Sequence, residues 1–310
     1  MNRPASRVTA DYEVLLDYAA QTGESPVWSV SEQRLYWIDI QQPALHRFDP
    51  ATGQDRHWLL PDEIGCFALD ADGSRAILGL RTGLYELRFD TCALRELSPA
   101  PFDPALYRFN EGGCDRMGRF WLGTMFDPKN PREKDANCKG EWHSYTESEG
   151  LVSHRDFAVI PNGLAWDPSY HTMYIAHSND GIIYAFDYDA AAGSLGRRRI
   201  FATIAHEIGI PDGGAVDVQG GYWCAIHGGG RLRRFHSDGR FDTDVFLPVS
   251  LPTMCAFGGA NLDMLYVTSK SHGLTAKQRE EDPLAGKLLR FHPGVTGVPT
   301  AAFGAARGAL

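Results

Sequence analysis

The stretch RLYWIDI, residues 34–40, is a short apolar strand phrase with aromatic residues at its centre. It returns five times, as SRAILGL (74–80), RFWLGTM (119–125), TMYIAHS (172–178), GYWCAIH (221–227) and DMLYVTS (263–269). The central residues Trp37, Ile77, Trp121, Tyr174, Trp223 and Tyr266 are 40, 44, 53, 49 and 43 residues apart. A second phrase follows each: ALHRFDP (44–50), GLYELRF (83–89), EWHSYT (141–146), IIYAFDYD (182–189), RLRRFHS (231–237) and KLLRFHP (287–293). Both phrases are rich in aromatic and β-branched residues and bounded by Gly, Asp or Pro, which is strand and turn chemistry. A period in the forties built only from strands means propeller blades. The expected fold is therefore all-β: a six-bladed β-propeller with four antiparallel strands per blade and the first strand of each blade lining a central channel.

Outward from these repeats, YEVLLDY (12–18) reads as a strand that completes the last blade and closes the ring. Residues 1–10 read as a flexible tail and 11–310 as a single propeller domain, with blade cores near 25–60, 65–98, 109–157, 162–203, 213–247 and 253–292. Two polar stretches carrying Pro or Gly interrupt the period, 126–140 in the third blade and 270–286 in the last. They read as surface loops, placed to lie over one channel mouth.

The chain has 310 residues and a formal net charge of −9, which argues against nucleic acid and anionic membrane as partners. No apolar run approaches the roughly 18 residues of a membrane span, and no secretory h-region follows a basic start. Cys66, Cys92, Cys114, Cys138, Cys224 and Cys255 form no CxxC pair and read as buried free thiols of a cytoplasmic protein.

The first strands begin in ESPVW, IGCFALD, FNEGGCD, NGLAWD, GGAVDV and TMCAF. At or just before each start stand Glu24, Ile64, Asn110, Asn162, Asp212 and Met254, so four of six blade-equivalent positions hold oxygen-bearing side chains. Glu24, Asn162 and Asp212 each lie beside Pro or Gly, at a tight strand entry. Three oxygen ligands with a charge near −2 suit a hard divalent cation. Arg108 and Asn110 occupy the same level in the third blade; a guanidinium there balances carboxylates or holds substrate oxygens. His177 and His227 end second-strand phrases. No GxSxG elbow exists, and strand rather than helix follows Gly228–Gly230, so neither a serine triad nor a phosphate loop is indicated.

With these residues the chain resembles the senescence marker protein/gluconolactonase/luciferin-regenerating-enzyme family. The resemblance rests on GESPVW (23–28), RFNEGGCDRMGRFWLGTM (108–125), IPNGLAWDPSYHTMYIA (160–176), IPDGGAVDVQGGYWCA (210–225), GGGRLRRF (228–235) and CAFGGANLDMLYVTS (255–269). It implies one catalytic divalent metal in the channel (Ca, Zn, Mn, Mg or Fe(II)) on Glu24, Asn162 and Asp212, with Arg108 and Asn110 on the substrate. Asp127 is the nearest candidate for the acid that some members carry after GTM, and His177 and His227 stand where many members differ. The expected activity is metal-dependent hydrolysis of a sugar lactone to the open-chain sugar acid in carbohydrate catabolism, by a monomer or weak homo-oligomer. Asp212 is the candidate catalytic base, and the small-molecule lactone is the expected partner. The competing readings are a non-catalytic metal- or ligand-binding regulatory propeller and a metal-dependent esterase or organophosphate hydrolase.

Overall fold

The computed structural model describes residues 6–9, 11–135 and 137–304. Six sheets, each with four antiparallel strands at its heart, form a ring. Blade 1 comprises Gly23–Ser29, Arg34–Asp39, Ala44–Asp49 and Gln54–Leu59; blade 2 comprises Ile64–Leu69, Arg75–Leu80, Gly83–Arg88 and Leu94–Pro99. Blade 3 is Tyr107–Cys114, Phe120–Phe126, Gly140–Thr146 and Gly150–Ala158, and blade 4 is Pro161–Trp166, Thr172–His177, Ile182–Asp189 and Ser194–Thr203. Blade 5 is Ile210–Val216, Tyr222–His227, Arg231–Phe235 and Phe241–Phe246; blade 6 is Pro252–Gly258, Met264–Ser269, Leu289–Phe291 and, from the other end of the chain, Glu13–Val14. The first strand of every blade packs against the first strand of the next, and blade 6 packs against blade 1, so the ring is closed.

The six central residues of the repeated phrase explain why the blades stack. Trp37, Ile77, Trp121, Tyr174, Trp223 and Tyr266 are at most 3% exposed and fill the spaces between sheets. Burying such a side chain contributes about 1.5–3 kcal/mol. The inner strands approach so closely that Gly65 has no room for a side chain: a Cβ there would lie 2.1 Å from the Phe109 carbonyl oxygen. Helix is confined, among the described residues, to Ala276–Glu281 in the last-blade insertion and two short 3-10 turns. No helix is long and apolar enough to cross a membrane.

The N-terminal closure is shorter than the sequence suggests. Glu13 and Val14 pair with Arg290 and Leu289, and a last backbone bond runs from the Leu15 N–H to the Leu288 carbonyl; the side chains of Leu15, Leu16 and Tyr18 pack into the apolar seam around Trp28, Trp37 and Tyr266. Burial of these side chains takes the chain off the sheet edge. Within the stretch read as a loose tail, Ser6–Thr9 forms a fifth strand on blade 5, parallel to Phe241–Phe246. An outermost strand leaves its N–H and C=O groups unpaired, and a β-branched segment such as RVT can take them up. The thiols also depart in part from expectation: Cys66, Cys114, Cys224 and Cys255 are buried, but Cys92 is exposed and Cys138 half-exposed, both in turns or loops.

The two ends of the channel differ. After blade 6 the chain crosses one end, bridging Asp217 at Gly297, Cys114 at Ala301 and Asp70 at Phe303. Phe303 is 1% exposed and stacks on Tyr145. Behind this stopper lies a cavity of about 110 Å³ lined by Gly112, Leu164, Gly214, Met254 and Val298, among others. The opposite end carries the starts of the first strands. There Asp127, Lys134, Asp135 and Cys138 of the 126–140 loop line a hollow of about 270 Å³ with Ile160 and Asn179.

Candidate active site

All six first strands break register at the same level. The shifts fall between Glu24 and Val27, Ile64 and Cys66, Phe109 and Gly112, Asn162 and Ala165, Pro211 and Gly214, and Pro252 and Cys255. An extra residue in one strand kinks it and re-aims its side chains, which is why bulges gather beside functional sites. Two residues at the shifts have left-handed backbone, Ser25 (φ 48°) and Gly163 (φ 66°). At Gly163 a Cβ would also meet the Tyr222 hydroxyl at 2.4 Å, so glycine is required on both counts.

The bulges bring residues from three blades into one hydrogen-bonded chain. Arg108 Nε donates to Asp127 Oδ2 at 2.8 Å, and its Nη1 donates to Asn110 Oδ1 at 3.0 Å. Asn110 Nδ2 donates to Asn162 Oδ1 at 2.6 Å, and Asn162 Nδ2 donates to Asp212 Oδ1 at 2.7 Å and Ser178 Oγ at 2.9 Å. His227 Nδ1 lies 3.6 Å from Asp212 Oδ2. Glu24 faces the same space from blade 1: its carboxylate accepts the Ser25 N–H at 3.1 Å and acts electrostatically on Asp212. Glu24, Arg108, Asn110, Asp127, Asn162, Asp212 and His227 therefore converge.

His177 faces elsewhere. Its Nδ1 lies 3.6 Å from Asp180 Oδ2 and its ring meets Tyr184 edge-on. Counting four residues on from each central aromatic or aliphatic residue gives Gln41, Arg81, Met125, Ser178, His227 and Lys270. His177 is one residue short of that register, and successive strand residues point to opposite faces. Ser178, the true counterpart of His227, is the one that reaches Asn162.

The same count exposes two further cations that the motifs alone do not single out. Arg81, 2% exposed, donates to the Asp127 carbonyl at 2.9 Å and Asp127 Oδ2 at 3.1 Å, and pairs with Glu63. It fixes the candidate substrate acid from below. Lys270 bridges back to Thr22 at the start of blade 1. Its charge acts on Glu24, Asp212 and His227. A third residue outside the expected set is Glu111, 3% exposed, which accepts the Gly163 N–H at 2.7 Å and the Leu164 N–H at 2.6 Å. It anchors the backbone immediately after Asn162.

Burial and mutual repulsion raise the carboxyls of this cluster. Burial pushes Glu24 up to about 7, against the pull of the Ser25 N–H, Arg108 and Lys270. Asp212 is raised well above the usual carboxylate range, by burial and then by the charges of Glu24 and Glu111. Glu111 is raised by burial and by Glu24. Asp127 goes the other way: burial opposes ionisation, but Arg108 and Arg81 prevail and hold it low. Burial, with Lys270, lowers His227 to about 4, so its ring is neutral near pH 7. An oxygen-only donor set whose acids repel one another fits a hard divalent cation, which relieves that repulsion.

The chain is thus a six-bladed propeller with this polar, acid-rich cluster gathered at one end of its ring. The family described as the SMP-30/Gluconolactonase/LRE-like region matches residues 22–271, and the chain belongs to it. It is 37% identical over 276 residues to a 6-deoxy-6-sulfogluconolactonase from Pseudomonas putida, covering 89% of this chain and 92% of that protein. It is 33% identical over 279 residues to regucalcin from Gallus gallus, covering 89% and 93%. The crystal structure of a calcium-binding protein, regucalcin, from Agrobacterium tumefaciens superposes with a TM-score of 0.88 at 23% identity over 96% of this chain and 99% of that one, a likeness of fold.

Proposed function

We propose that the protein is a metal-dependent carboxylic ester hydrolase that opens a sugar lactone to its hydroxy acid. The observation that carries this reading is the continuous chain Asp127–Arg108–Asn110–Asn162–Asp212, facing Glu24 at the open channel end. Glu24, Asn162 and Asp212 would hold the divalent cation, which would supply Lewis-acid polarisation of the lactone carbonyl.

The remaining work falls to the side chains. Arg108 and Asn110 orient the ring hydroxyls, and Asp127 with Arg81 keeps the Arg108 fork in place. Asp212 accepts a proton from the attacking water as the water oxygen bonds to the carbonyl carbon. The ring C–O bond then breaks, and its oxygen leaves as a hydroxyl carrying that proton. The neutral His227 beside Asp212 adds no positive charge to that carboxylate, which takes a hydrogen bond from Asn162 and feels the charge of Lys270. The likeness to a 6-deoxy-6-sulfogluconolactonase favours a lactone bearing an anionic group remote from the ester. The Lys270 side-chain ammonium, with no hydrogen bond or ion pair among the described residues, is the cation placed to meet it.

The test is lactone opening, followed by acid release, with EDTA-treated protein before and after adding Ca2+, Mg2+, Mn2+, Zn2+ or Fe2+. The substrates are glucono-δ-lactone and its 6-sulfonate. Activity that returns with metal supports the reading. Metal binding without any rate above the spontaneous one would make the protein a binding propeller, the alternative that its regucalcin relatives keep open.

A further inference from the structure

We propose a second metal site, remote from the channel, on the outer strands of blade 1: His46, Asp55 and His57 bind a zinc-class divalent ion. One ligand atom from each of these residues lies within 4.8 Å of the others, the one such group of three His, Cys, Asp or Glu among the described residues. The pairing of the third and fourth strands produces the cluster. His46 stands directly opposite His57 in the ladder, and Asp55 is two residues before His57 on the same face.

The hydrogen bond from His46 Nδ1 to Asp55 Oδ2, 2.7 Å, does not account for the whole arrangement. It leaves Asp55 Oδ1 and His46 Nε2 buried with no partner, and His46 is 2% exposed. Buried polar atoms are ordinarily paired, so an open carboxylate oxygen beside two imidazoles points to a missing positive partner. The ring of His46 is clamped in place: it stacks on Trp37 at 4.1 Å and lies 5.1 Å from the Tyr18 ring. Blade 3 supplies the contrast. There His154 stacks on Trp121 at the same 4.1 Å, but its own Nε2 pairs with Ser144 Oγ at 2.8 Å.

Two imidazoles and one carboxylate suit zinc and its neighbours rather than calcium, which takes oxygen ligands. The fourth position is left for water. Tyr18 belongs to the segment that joins the closing strand Glu13–Val14 to blade 1, so the ion sits where the ring is sealed. Its role is a staple on that seam, with His57 drawn in from the exposed edge.

The experiment is zinc titration by calorimetry of full-length Glu24→Gln/Asp212→Asn protein, in which the channel ligands are disabled. The expected result is about one Zn2+ per chain. Adding His57→Ala should weaken binding by about tenfold or more. His236→Ala, removing a half-exposed histidine elsewhere, should leave it unchanged. His57 is exposed, so its removal should not cost the fold. Should the double variant fold poorly, the same comparison is made on wild type with the channel saturated by Ca2+. Zinc binding equal in the presence and absence of His57, or no binding below millimolar zinc, would overturn the proposal.

Discussion

Glu111→Gln is the sharpest probe of how the candidate metal site is held. The Glu111 carboxylate accepts two backbone N–H groups, from Gly163 and Leu164, and the Gly163 carbonyl in turn accepts the Tyr222 hydroxyl at 2.7 Å. Glutamine has nearly the same shape but only one oxygen. Its amide nitrogen must face one of the two N–H groups, donor against donor. One hydrogen bond to a charged or strongly polar group, worth about 1.5–3 kcal/mol, is lost, and one buried N–H is left unpaired at about 1–3 kcal/mol. The two costs overlap, so the net loss is about 2–4 kcal/mol. With an unfolding entropy of about 2.1 cal/mol/K per residue, a chain of this length loses about 1 °C of Tm for every 0.65 kcal/mol, giving a fall of about 3–6 °C. Because the loosened backbone immediately follows Asn162, metal affinity should fall by about tenfold as well, the usual result of removing an outer support. Scanning calorimetry and metal titration measure the two effects. A variant with wild-type Tm and wild-type metal affinity would show that Glu111 does not position Asn162.

Arg108→Ala should lower kcat/KM by about 10²-fold, since charged hydrogen bonds are worth about 1.5–3 kcal/mol, while metal affinity changes little; a variant that loses metal but keeps its KM would make Arg108 part of the scaffold. Asp212→Asn should leave kcat about 10²–10⁴-fold low even at saturating metal, as loss of a general base does, and full rescue by excess metal would refute the base role. Glu24 makes a pH prediction. Its folded pKa of about 7 lies above the ordinary value of 4.5, so the metal-free native state binds the proton more tightly than the unfolded chain does. Its contribution is therefore whole below about 4.5 and is lost as pH rises towards about 7. His227, lowered to about 4 from 6.5, works in the opposite sense up to about 6.5, so the Tm difference between wild type and Glu24→Gln is the quantity to follow. That difference should fall with pH in EDTA and rise with pH in saturating metal, which binds only the carboxylate; parallel slopes would refute the assignment.

Much of the ring was legible because its hydrophobic pattern repeats. The spacing of Trp37, Ile77, Trp121, Tyr174, Trp223 and Tyr266 reflects a physical necessity: each sheet needs a large side chain against the next. The first-strand residues could be read for the same reason, since they keep register with those anchors. What escaped was set by contacts that no repeat encodes. Glu111 matters because a bulge turns it towards blade 4, and FNEGG alone does not say which of its polar residues faces the axis. A histidine at 177 reads as a candidate ligand by residue type alone, but the alternation of a strand places Ser178 at the equivalent position. Lys270 and Arg81 were within reach of that same count applied to second strands. The length of the closing strand was not legible, because Leu15 and Leu16 read equally well as strand or as seam.

The distribution of side chains around the ring also explains the electrostatics of Glu24. Blades 3, 4 and 5 present Asn110, Asn162 and Asp212, which satisfy one another through hydrogen bonds. Blades 2 and 6 present Ile64 and Met254 at the same level, 0% and 9% exposed, and these are the two neighbours of blade 1. Glu24 is thus flanked by apolar walls at its own level, with the charges of Lys270 and Arg108 also acting on it. Apart from the Ser25 N–H it receives no hydrogen bond among the described residues, so burial is the largest influence on its carboxyl. The carboxylate with the least compensation is then the one with the most to gain from a bound cation. Substituting Met254 by a polar donor such as Gln should lower the Glu24 pKa and weaken the pH dependence of metal binding, leaving the other blades as they are. An unchanged pH dependence would show that these walls do not set the charge state of Glu24.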